Sequence, residues 1–392
     1  METREALGQQ NQQSNFFWMG MVSFFTDMAS SIVVPLMPFF LVLILDQGID
    51  KLGLVLAITT LVSYLLRILA GIFADRRGRN KPFLILGYGL SAISKPLFGM
   101  ADGWGSIAAF RSSERLGKAI RSAPKDKLLS ASVQQKNHLG KSLGHHKTLE
   151  KIGEVLGLLI LLATISYFGM SESVFRSLFL ASIIPGVLAI LVLIMFIQDT
   201  QGLPQKASPS FSILLEPKLR GVIAAFVIIT LFTFNEAFYL LLGNEYGLEL
   251  NEILMILILV KGTQMLIGKS IGRFVDSYSI KIQLGLGYGA GLCSLLLLLT
   301  STFEAYLASF LLFGIHEIIM LMTIRTFIGK KASDKGTAYG FLYFAIAIFS
   351  ALSAYVIGLI WQVYGVDTAL QVSAIGMLLA GFVLFKHRAH TQ

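Results

Sequence analysis

Gly71-Ile-Phe-Ala-Asp75-Arg76-Arg77-Gly78-Arg79-Asn80-Lys81 is a short basic stretch that lies between two long apolar runs. In the second half of the chain, Gly272-Arg-Phe-Val-Asp276-Ser-Tyr-Ser-Ile-Lys281 repeats its Gly-x-x-x-Asp spacing and its trailing base. Each copy is soon followed by Gly-Tyr-Gly, at 87–89 and at 287–289. Because the same pattern occurs twice at a wide separation, the sequence predicts a chain built from two related halves.

The composition is typical of a protein that lies mostly within lipid. Apolar residues make up 55% of the chain and charged residues only 14%, and the mean hydropathy is +0.71. Apolar runs recur along almost the whole chain at a length of about 20 residues, which matches a hydrocarbon core about 30 Å thick. In lipid the backbone must satisfy its own hydrogen bonds, and continuous apolar runs favour helices over a closed barrel. The sequence therefore predicts an all-α integral membrane protein.

The formal net charge of +9 has a topological explanation. Bases are concentrated in the loops of one side, whereas the opposite loops carry only Lys51 and Arg176. This asymmetry is the positive-inside pattern, so both termini are expected in the cytoplasm and no nucleic-acid partner is implied. The bases of the inner loops are Arg76, Arg77, Arg79, Lys81, those between Lys118 and Lys147, Lys206, Lys218, Arg220, Lys269, Arg273, Lys281, Lys330, Lys331, Lys335, Lys386 and Arg388.

Twelve transmembrane helices are predicted, and they are called spans 1 to 12 in chain order. A basic loop at about 122–138 separates span 4 from span 5. The other expected bounds are about Phe16–Leu45 (span 1), Leu52–Ala74 (2), Pro82–Met100 (3), from Trp104 (4), Phe175–Ile197 (6), Arg220–Leu242 (7), Asn251–Ile271 (8), Ile282–Thr300 (9), Tyr306–Ile328 (10), Thr337–Trp361 (11) and Thr368–Phe385 (12).

One long polar segment divides the chain. Residues 198–219 contain three prolines and no apolar run of spanning length, which indicates a cytoplasmic linker. The predicted domains are therefore a six-helix bundle at 16–197 and a second at 220–387. A cytoplasmic segment at 1–15 and a cytoplasmic tail at 388–392 flank them.

This arrangement resembles the major facilitator superfamily. The match lies in the loop between spans 2 and 3, and a degraded copy lies between spans 8 and 9. The resemblance extends from Phe16 to about Lys386, and it implies two six-helix repeats that transport a solute by alternating access. The residues that match the superfamily's loop signature are Gly71, Asp75, Arg76, Gly78, Arg79 and Lys81.

Two further stretches resemble parts of this superfamily. The run from Ser113 to Asp126, with Glu114-Arg115-x-Gly-Lys-x-x-Arg-x-x-Pro, is similar to the end of span 4 in one bacterial subgroup, as is Phe24–Ser30 in span 1. In span 5, Gly153-x-x-x-Gly157 is similar to the antiporter motif of the superfamily. Leu158 stands where that motif has proline, so the motif does not predict an exporter.

The resemblance also implies a gate on the cytoplasmic side. Asp75 would accept a hydrogen bond from a base on span 4, for which Arg115 is the candidate, and would lie at the N-terminus of span 11, where the helix dipole favours an anion. The alternative is that the loop bases only enforce topology. The predicted gating residues are Gly71, Asp75, Arg76, Gly78, Arg79, Arg115, Gly272 and Asp276.

Charged residues inside a bilayer are costly, so they are functional candidates. The resemblance implies that spans 1, 4, 7 and 10 line the cavity, and the deepest polar residues of the sequence lie on those four spans. The candidates for binding a solute or a proton are Asp27, Arg111, Glu114, Asn235, Glu236, His316 and Glu317.

Asp27 is the first choice among them. Ser23 and Ser31 lie four residues to either side, which makes a polar stripe on one helix face. We expect Asp27 to carry a proton or contact the solute, in a pair with Arg111 that solute would break. The alternative is a static ion pair that sets helix packing. His316 is the weakest candidate, because a single helical histidine is more often a hydrogen-bonded packing residue.

Other intramembrane charges have structural explanations. Lys95 is expected to extend towards the outer surface from the end of span 3. Glu150 and Glu154 are like charges one turn apart and need separate basic partners, for which Arg121 and Lys118 are the candidates. The sequence provides no explanation for Lys261.

The functional prediction is a secondary transporter rather than an enzyme. The sequence has one cysteine and no Cys/His cluster, so no metal is expected, and no cofactor is implied. We expect a proton-coupled carrier of a small charged or zwitterionic solute in the inner membrane of the cell, acting as a monomer within the lipid bilayer. The alternatives are a drug or siderophore exporter and, in another class, a membrane enzyme or a non-transporting sensor.

Overall fold

The computed structural model describes residues 2–77, 80–131, 139–199, 217–331 and 335–386. All regular structure in these ranges is helical, as predicted. A π-helical turn at Phe40–Ile44 and a 3₁₀ turn at Phe98–Met100 accompany fifteen α-helices. These are α1 (Glu2–Val33), α2 (Leu36–Phe39), α3 (Ile49–Arg77), α4 (Lys81–Leu97), α5 (Trp104–Ala131), α6 (Leu139–Phe168), α7 (Glu172–Ala181), α8 (Ile183–Phe196), α9 (Pro217–Phe232), α10 (Glu236–Glu245), α11 (Leu250–Ser277), α12 (Ile280–Leu298), α13 (Phe303–Lys331), α14 (Lys335–Tyr364) and α15 (Val366–Lys386).

Ten segments of the described chain are long and apolar enough to cross a membrane, judged by length and composition. The highly charged α5 is not one of them, and the apolar part of α15 at Val366–Gly381 is shorter than the others. The all-α membrane class is therefore confirmed, and the number of twelve spans stays a prediction.

The helices group into two compact units. Unit 1 comprises Met1–Leu45 and Val62–Pro209, and unit 2 comprises Asp46–Leu61 and Ser210–Gln392. The boundary after Pro209 falls within the segment predicted as a linker, of which residues 200–216 lie outside the described part of the chain. The first half of α3 groups with the second unit because of its packing against α14. Gly53 lies against the Ala354 carbonyl and the Gly358 backbone, and the Ile49 amide donates to Gln362 Oε1 at 2.7 Å.

Within unit 1, α1 packs closely along α6. A Cβ atom at Gly153 would overlap the Phe24 carbonyl, and one at Gly157 would overlap the Met28 carbonyl. These two glycines are the Gly-x-x-x-Gly pair of span 5, and the structure shows that they allow two helix backbones to approach. The contact lies on the turn of α1 that holds Asp27, so the α1–α6 packing positions that residue.

The helix α5 is longer than predicted. The expected loop from about Ser122 is wrong, because the helix continues through Pro124 to Ala131. Leu128 and Leu129, which lie beyond the proline, are fully or almost fully buried in a core. Burial of these side chains offsets the hydrogen bond that proline removes. The core that they join contains Met19, Val22, Leu84, Tyr88, Ala189, Leu193 and Ile197.

The N-terminus of α4 is held by the chain that follows α8. Asp199 Oδ1 accepts hydrogen bonds from the backbone amides of Asn80 and Lys81, at 3.0 and 3.1 Å. The Lys81 ammonium donates to the carbonyl of Ile194 at 2.9 Å. Carboxylate capping satisfies amides that a helix start leaves unpaired. The last matching residue of the basic loop therefore has a structural role at the helix start.

In unit 2 the predicted span 7 is interrupted. The helix α9 ends at Phe232, and α10 begins at Glu236, with Asn235 as its N-cap. The Asn235 side chain accepts from the Ala237 amide at 3.0 Å, and Ser353 Oγ donates to the Thr233 carbonyl at 3.3 Å. The continuous helix expected from Arg220 to Leu242 is therefore wrong. A side-chain cap and a neighbouring helix satisfy the backbone groups that the break leaves open.

Candidate functional site

The polar face of α5 is the centre of the candidate site. Arg111, Glu114, Arg115, Lys118 and Lys125 recur at helical spacing, so they project from one side of the helix. Four of the five are bases. Unit 1 therefore has a charged stripe along α5.

The deepest members of this stripe neutralise each other. Arg111 Nη1 donates to Glu114 Oε2 at 2.7 Å, and their side chains are only 6% and 5% exposed. The Nε atom of Arg115 lies 4.0 Å from the same oxygen. The predicted Asp27–Arg111 pair is therefore wrong, since Arg111 pairs with Glu114. A partner three residues along the same helix is already in reach, whereas one on another helix must be brought there by packing.

Asp27 differs from the other acids of this unit. It is half-buried on α1, and no side chain in the described ranges forms an ion pair or a hydrogen bond with it. Its electrostatic neighbours are Lys118 and Lys125 on α5, and Glu150 and Glu154 on α6. A carboxylate that is partly shielded from water and has no fixed partner can exchange a proton without breaking a built contact.

The serines of the predicted polar stripe on α1 have packing roles. Ser23 is buried, and its Oγ lies 3.3 Å from His146 Nε2 on α6. Ser31 is also buried and lies against Gly157. The two serines therefore join α1 to α6, and they leave Asp27 as the ionisable group of that face.

The sequence predicted that Glu150 on α6 needs a basic partner, and the structure shows a network whose other members it did not predict. The carboxylate of Glu150 accepts from Lys125 and from Lys147 at 2.7 Å each, and it lies 3.2 Å from His146 Nε2. Glu154 pairs with Lys151. The i,i+4 spacing of His146 and Glu150 was the available signal. Lys125 lies on another helix, so its part in the network could not be read from spacing.

The expected partners of Glu150 and Glu154 are therefore wrong. Arg121 instead lies over the ring of Tyr88 at 4.3 Å and donates to the Gly87 carbonyl at 3.3 Å. Lys118 is exposed and forms no ion pair with a described side chain. The aromatic face of Tyr88 and a backbone carbonyl provide the contacts for the guanidinium of Arg121.

Lys95 is buried rather than extended to the outer surface. Its side chain is 1% exposed, and its ammonium donates to the Thr26 carbonyl on α1 at 3.2 Å. The expectation of an outward lysine is wrong because helical side chains lean towards the N-terminus of their helix. For Lys95 that direction leads into unit 1, next to the turn that holds Asp27.

In unit 2, an ion pair explains Lys261. Its ammonium pairs with Glu236 at the start of α10, and the two side chains are 12% and 26% exposed. Gln264 Nε2 donates to the Gly314 carbonyl at 3.1 Å and lies 3.4 Å from Glu317 Oε2. The structure therefore brings together Glu236 and Lys261 between α10 and α11, and it places Glu317 on the exposed side of α13, next to Gln264.

His316 lies at a helix–helix contact. Its imidazole Nδ1 donates to the Gly287 carbonyl on α12 at 2.7 Å, and the side chain is 4% exposed. A Cβ atom on Gly291 would come within 2.6 Å of the same nitrogen. This position favours the packing role that was the alternative for this histidine.

The predicted gating residues are only partly described. Gly71, Asp75 and Arg76 lie in the last turns of α3, where side chains are outside the description, and Gly78 and Arg79 lie outside it entirely. The Asp75–Arg115 latch therefore stays a prediction. In the second copy of the loop, Gly272 and Asp276 lie near the end of α11. A Cβ atom added at Gly272 would meet nothing within 4 Å, and Asp276 is exposed.

The Glu236–Lys261 pair leads to a testable prediction. Replacing Lys261 with methionine leaves a half-buried carboxylate without its base, and we expect a loss of about 2 kcal/mol in unfolding free energy. The double variant Glu236→Gln with Lys261→Met should recover most of that loss, since no charge is left unpaired. Thermal unfolding in lipid nanodiscs, followed by intrinsic fluorescence, measures both. Additive losses in the double variant would contradict the coupling.

Comparisons with known proteins agree with this architecture. A family model described as Major Facilitator Superfamily matches residues 19–354. A relative from Methanocaldococcus jannaschii, described as an uncharacterized MFS-type transporter, is 27% identical over 383 residues, which cover 95% of this chain and 94% of that protein. An uncharacterized protein of Mycobacterium tuberculosis is 35% identical over 92 residues, or 24% of this chain and 22% of its own.

Solved structures show the same arrangement of helices. The nucleoside transporter NupG superposes with a TM-score of 0.74 at 14% identity, over 95% of this chain and 98% of that one. A POT family transporter in complex with a thioalcohol conjugated peptide superposes with a TM-score of 0.78 at 11% identity, over 96% of each chain. At such identities the likeness is one of fold.

Proposed function

Since this chain belongs to the major facilitator superfamily of transporters and is not an enzyme, we propose that it is a proton-coupled secondary transporter of a small charged or zwitterionic solute. It works by alternating access, in which a carrier exposes its binding site to one side of the membrane at a time. The Asp27 carboxyl is the group that binds the proton.

The topology that goes with this proposal has twelve spans, with α5 and α15 crossing the membrane beside the ten apolar segments. The chain lies in the inner membrane as a monomer with both termini in the cytoplasm, which the excess of bases in one set of loops supports. The internal pairing of Arg111 with Glu114 reduces the cost of placing α5 in lipid.

One observation supports Asp27 as the proton carrier. Glu114 and Glu150 are each held in short ion pairs, whereas Asp27 has no ion pair or hydrogen bond in the described part of the chain. Protonating either glutamate would break a buried pair, which costs several kcal/mol. Protonating Asp27 breaks none, so it can gain and lose a proton during each cycle.

The charges of unit 1 support a charged or zwitterionic solute. The stripe on α5 and Asp27 present both signs within one unit, and such groups recognise polar solutes better than apolar drugs. The similar solved structures are those of a nucleoside transporter, a transporter in complex with a peptide conjugate and a human organic anion transporter. These solutes share polar or charged groups, which agrees with the proposed class.

Proton flux in liposomes tests the proposal. The protein is reconstituted with an internal pH dye, and amino acids, carboxylates, sugars and cationic drugs are added one at a time. One class should move protons, and Asp27→Asn should reduce that movement to the level of empty liposomes, since asparagine keeps the shape and cannot ionise. Asp102→Asn, at an exposed acid outside the site, is the matched control and should match the parent.

Each other outcome has a definite meaning. Parent-like proton flux in Asp27→Asn would show that another group carries the proton. Labelled solute that crosses without protons would end the coupling proposal. Proton flux that appears only with cationic drugs would replace the proposed solute class with that of a drug exporter.

A further inference from the structure

On the polar face of α5, two of the described bases have no short ion pair with a described side chain. Arg111 pairs with Glu114, and Lys125 pairs with Glu150, which Lys147 also contacts. In contrast, Lys118 is exposed without an ion pair in the described ranges. Arg115 is 32% exposed, and its nearest carboxylate oxygen, 4.0 Å away, already accepts from another arginine. Among the described side chains, these two bases are therefore the members of the stripe that no carboxylate contacts at hydrogen-bond distance.

Arg115 and Lys118 are placed to bind one anionic group together. They are three residues apart on α5, so their side chains emerge from adjacent turns on the same face. A guanidinium offers a planar pair of donors to a carboxylate, phosphate or sulfonate, and an ammonium adds a mobile point charge. Arg111, the sequence-based choice for this role, is buried and already paired, so the structure favours the next turns of the helix.

Asp27 lies within electrostatic reach of one of these two bases, Lys118. Its carboxylate is an electrostatic neighbour of Lys118 without being in contact with it. An unprotonated Asp27 therefore partly neutralises the positive charge of Lys118, which an incoming anion would otherwise neutralise. Protonation removes that negative charge and leaves Lys118 available to the anion.

We propose that Arg115 and Lys118 form the subsite for the anionic group of the solute, and that the Asp27 carboxylate substitutes for that anion until a proton neutralises it. This inference rests on the proposed transport function and specifies its solute class. By linkage, an anion and a proton then bind together, so each increases the affinity for the other. The coupled movement is a symport of an anion with a proton.

Other charged groups surround Asp27 and must be separated from it in any test. From α4, Lys95 lies beside the same turn, and from α5 and α6 both bases and acids are within electrostatic reach. The groups that face Asp27 are Lys95, Lys118, Lys125, Glu150 and Glu154. Since these groups are unchanged when Asp27 becomes asparagine, the comparison of the parent with Asp27→Asn isolates Asp27 at pH values where Lys118 keeps its charge.

Anion binding to purified protein in nanodiscs tests this inference without transport. The probes are sulfate, ethanesulfonate, benzenesulfonate and naphthalenesulfonate, which keep their charge from about pH 4.5 to about pH 6, a range in which lysine ammonium groups also stay charged. Thermal stabilisation is measured against potassium chloride of equal ionic strength. We expect at least one sulfonate to stabilise the parent. Its affinity should weaken about tenfold as the pH rises through this range, as is typical of coupled sites. In Asp27→Asn, binding should remain and lose its pH dependence.

The variants of the two bases complete the test. Lys118→Gln and Arg115→Gln should each weaken anion binding about tenfold or more. Lys269→Gln, which removes the same charge at an exposed lysine of unit 2, should bind like the parent. The proposal is overturned if no probe stabilises the parent beyond chloride, if Lys118→Gln binds normally, or if Asp27→Asn keeps the pH dependence. None of these results depends on proton flux, so they are distinguishable from a failure of the transport proposal.

Discussion

Replacing Glu114 with glutamine should lower the unfolding free energy by about 3–5 kcal/mol, because it leaves the charge of Arg111 buried without a counterion. Both side chains of the pair are almost fully buried, and their contact is a short charge-assisted hydrogen bond. A glutamine can still accept one hydrogen bond, yet it cannot neutralise the guanidinium. Thermal unfolding in nanodiscs, with the folded fraction measured by size-exclusion chromatography after heating, detects such a loss.

Two controls show whether burial is the cause. The double variant Arg111→Met with Glu114→Met removes both charges and should recover most of the stability, since similar replacements of buried pairs are often neutral. Glu172→Gln breaks the pair with Arg176, in which the acid is 57% exposed, and should cost at most about 1 kcal/mol. A parent-like Glu114→Gln would show that Arg111 has another counterion or is solvated.

The double variant also separates structure from function. If Arg111→Met with Glu114→Met is stable and still moves its solute, the pair holds the helix and does not bind the solute. If it is stable and inactive, the pair belongs to the solute pathway as the sequence predicted. The first result is expected, because the two side chains are buried and neutralise each other.

Adding one methyl group at Gly153 should destabilise unit 1 by about 1–3 kcal/mol, and adding a second at Gly157 should increase the loss. At both positions the new Cβ atom would meet a backbone carbonyl of α1 rather than a flexible side chain. The α1 backbone must then move, and Asp27 moves with it. We therefore expect Gly153→Ala to lower proton flux more than its loss of stability alone would explain.

Gly89→Ala is the matched control for this prediction. Gly89 is a helical glycine of the same unit, and a Cβ atom there meets nothing within 4 Å. Alanine should be neutral or slightly stabilising at that position, since it favours the helix over glycine by up to about 1 kcal/mol. If Gly153→Ala unfolds like Gly89→Ala, then α1 does not pack on α6 as the structure places it.

Much of the fold was predictable because its signals are local. Apolar length indicated membrane helices, and the repeated Gly-x-x-x-Asp loop indicated the superfamily to which the chain belongs. The predictions of local structure that were wrong concern features that depend on contacts with residues distant in sequence. The break before Asn235 needs the donor of Ser353, and the extension of α5 beyond Pro124 needs the core around Leu128.

The candidate site was predictable as a set of residues and not as a set of contacts. Asp27, Arg111 and Glu114 stand out because each is charged within an apolar sequence. Their pairing did not follow from that, and the expected partner of Arg111 was wrong. Lys95 and His146 were missed as members of the cluster, since a lysine near a helix end and a histidine in a basic segment have ordinary surface explanations.

By itself, the sequence determined the membrane class, the two-part organisation and the helices that carry charge. Hydrophobic length and Gly-x-x-x-Asp spacing are properties of contiguous residues, so they need no knowledge of packing. Only the tertiary structure decided which charges are neutralised, as in the pairs Lys125–Glu150 and Lys261–Glu236, and which remain available, as Asp27 and Lys118 do. The physical reason is that an ion pair depends on a few ångströms between side chains, and those distances are set by helices that are remote in sequence.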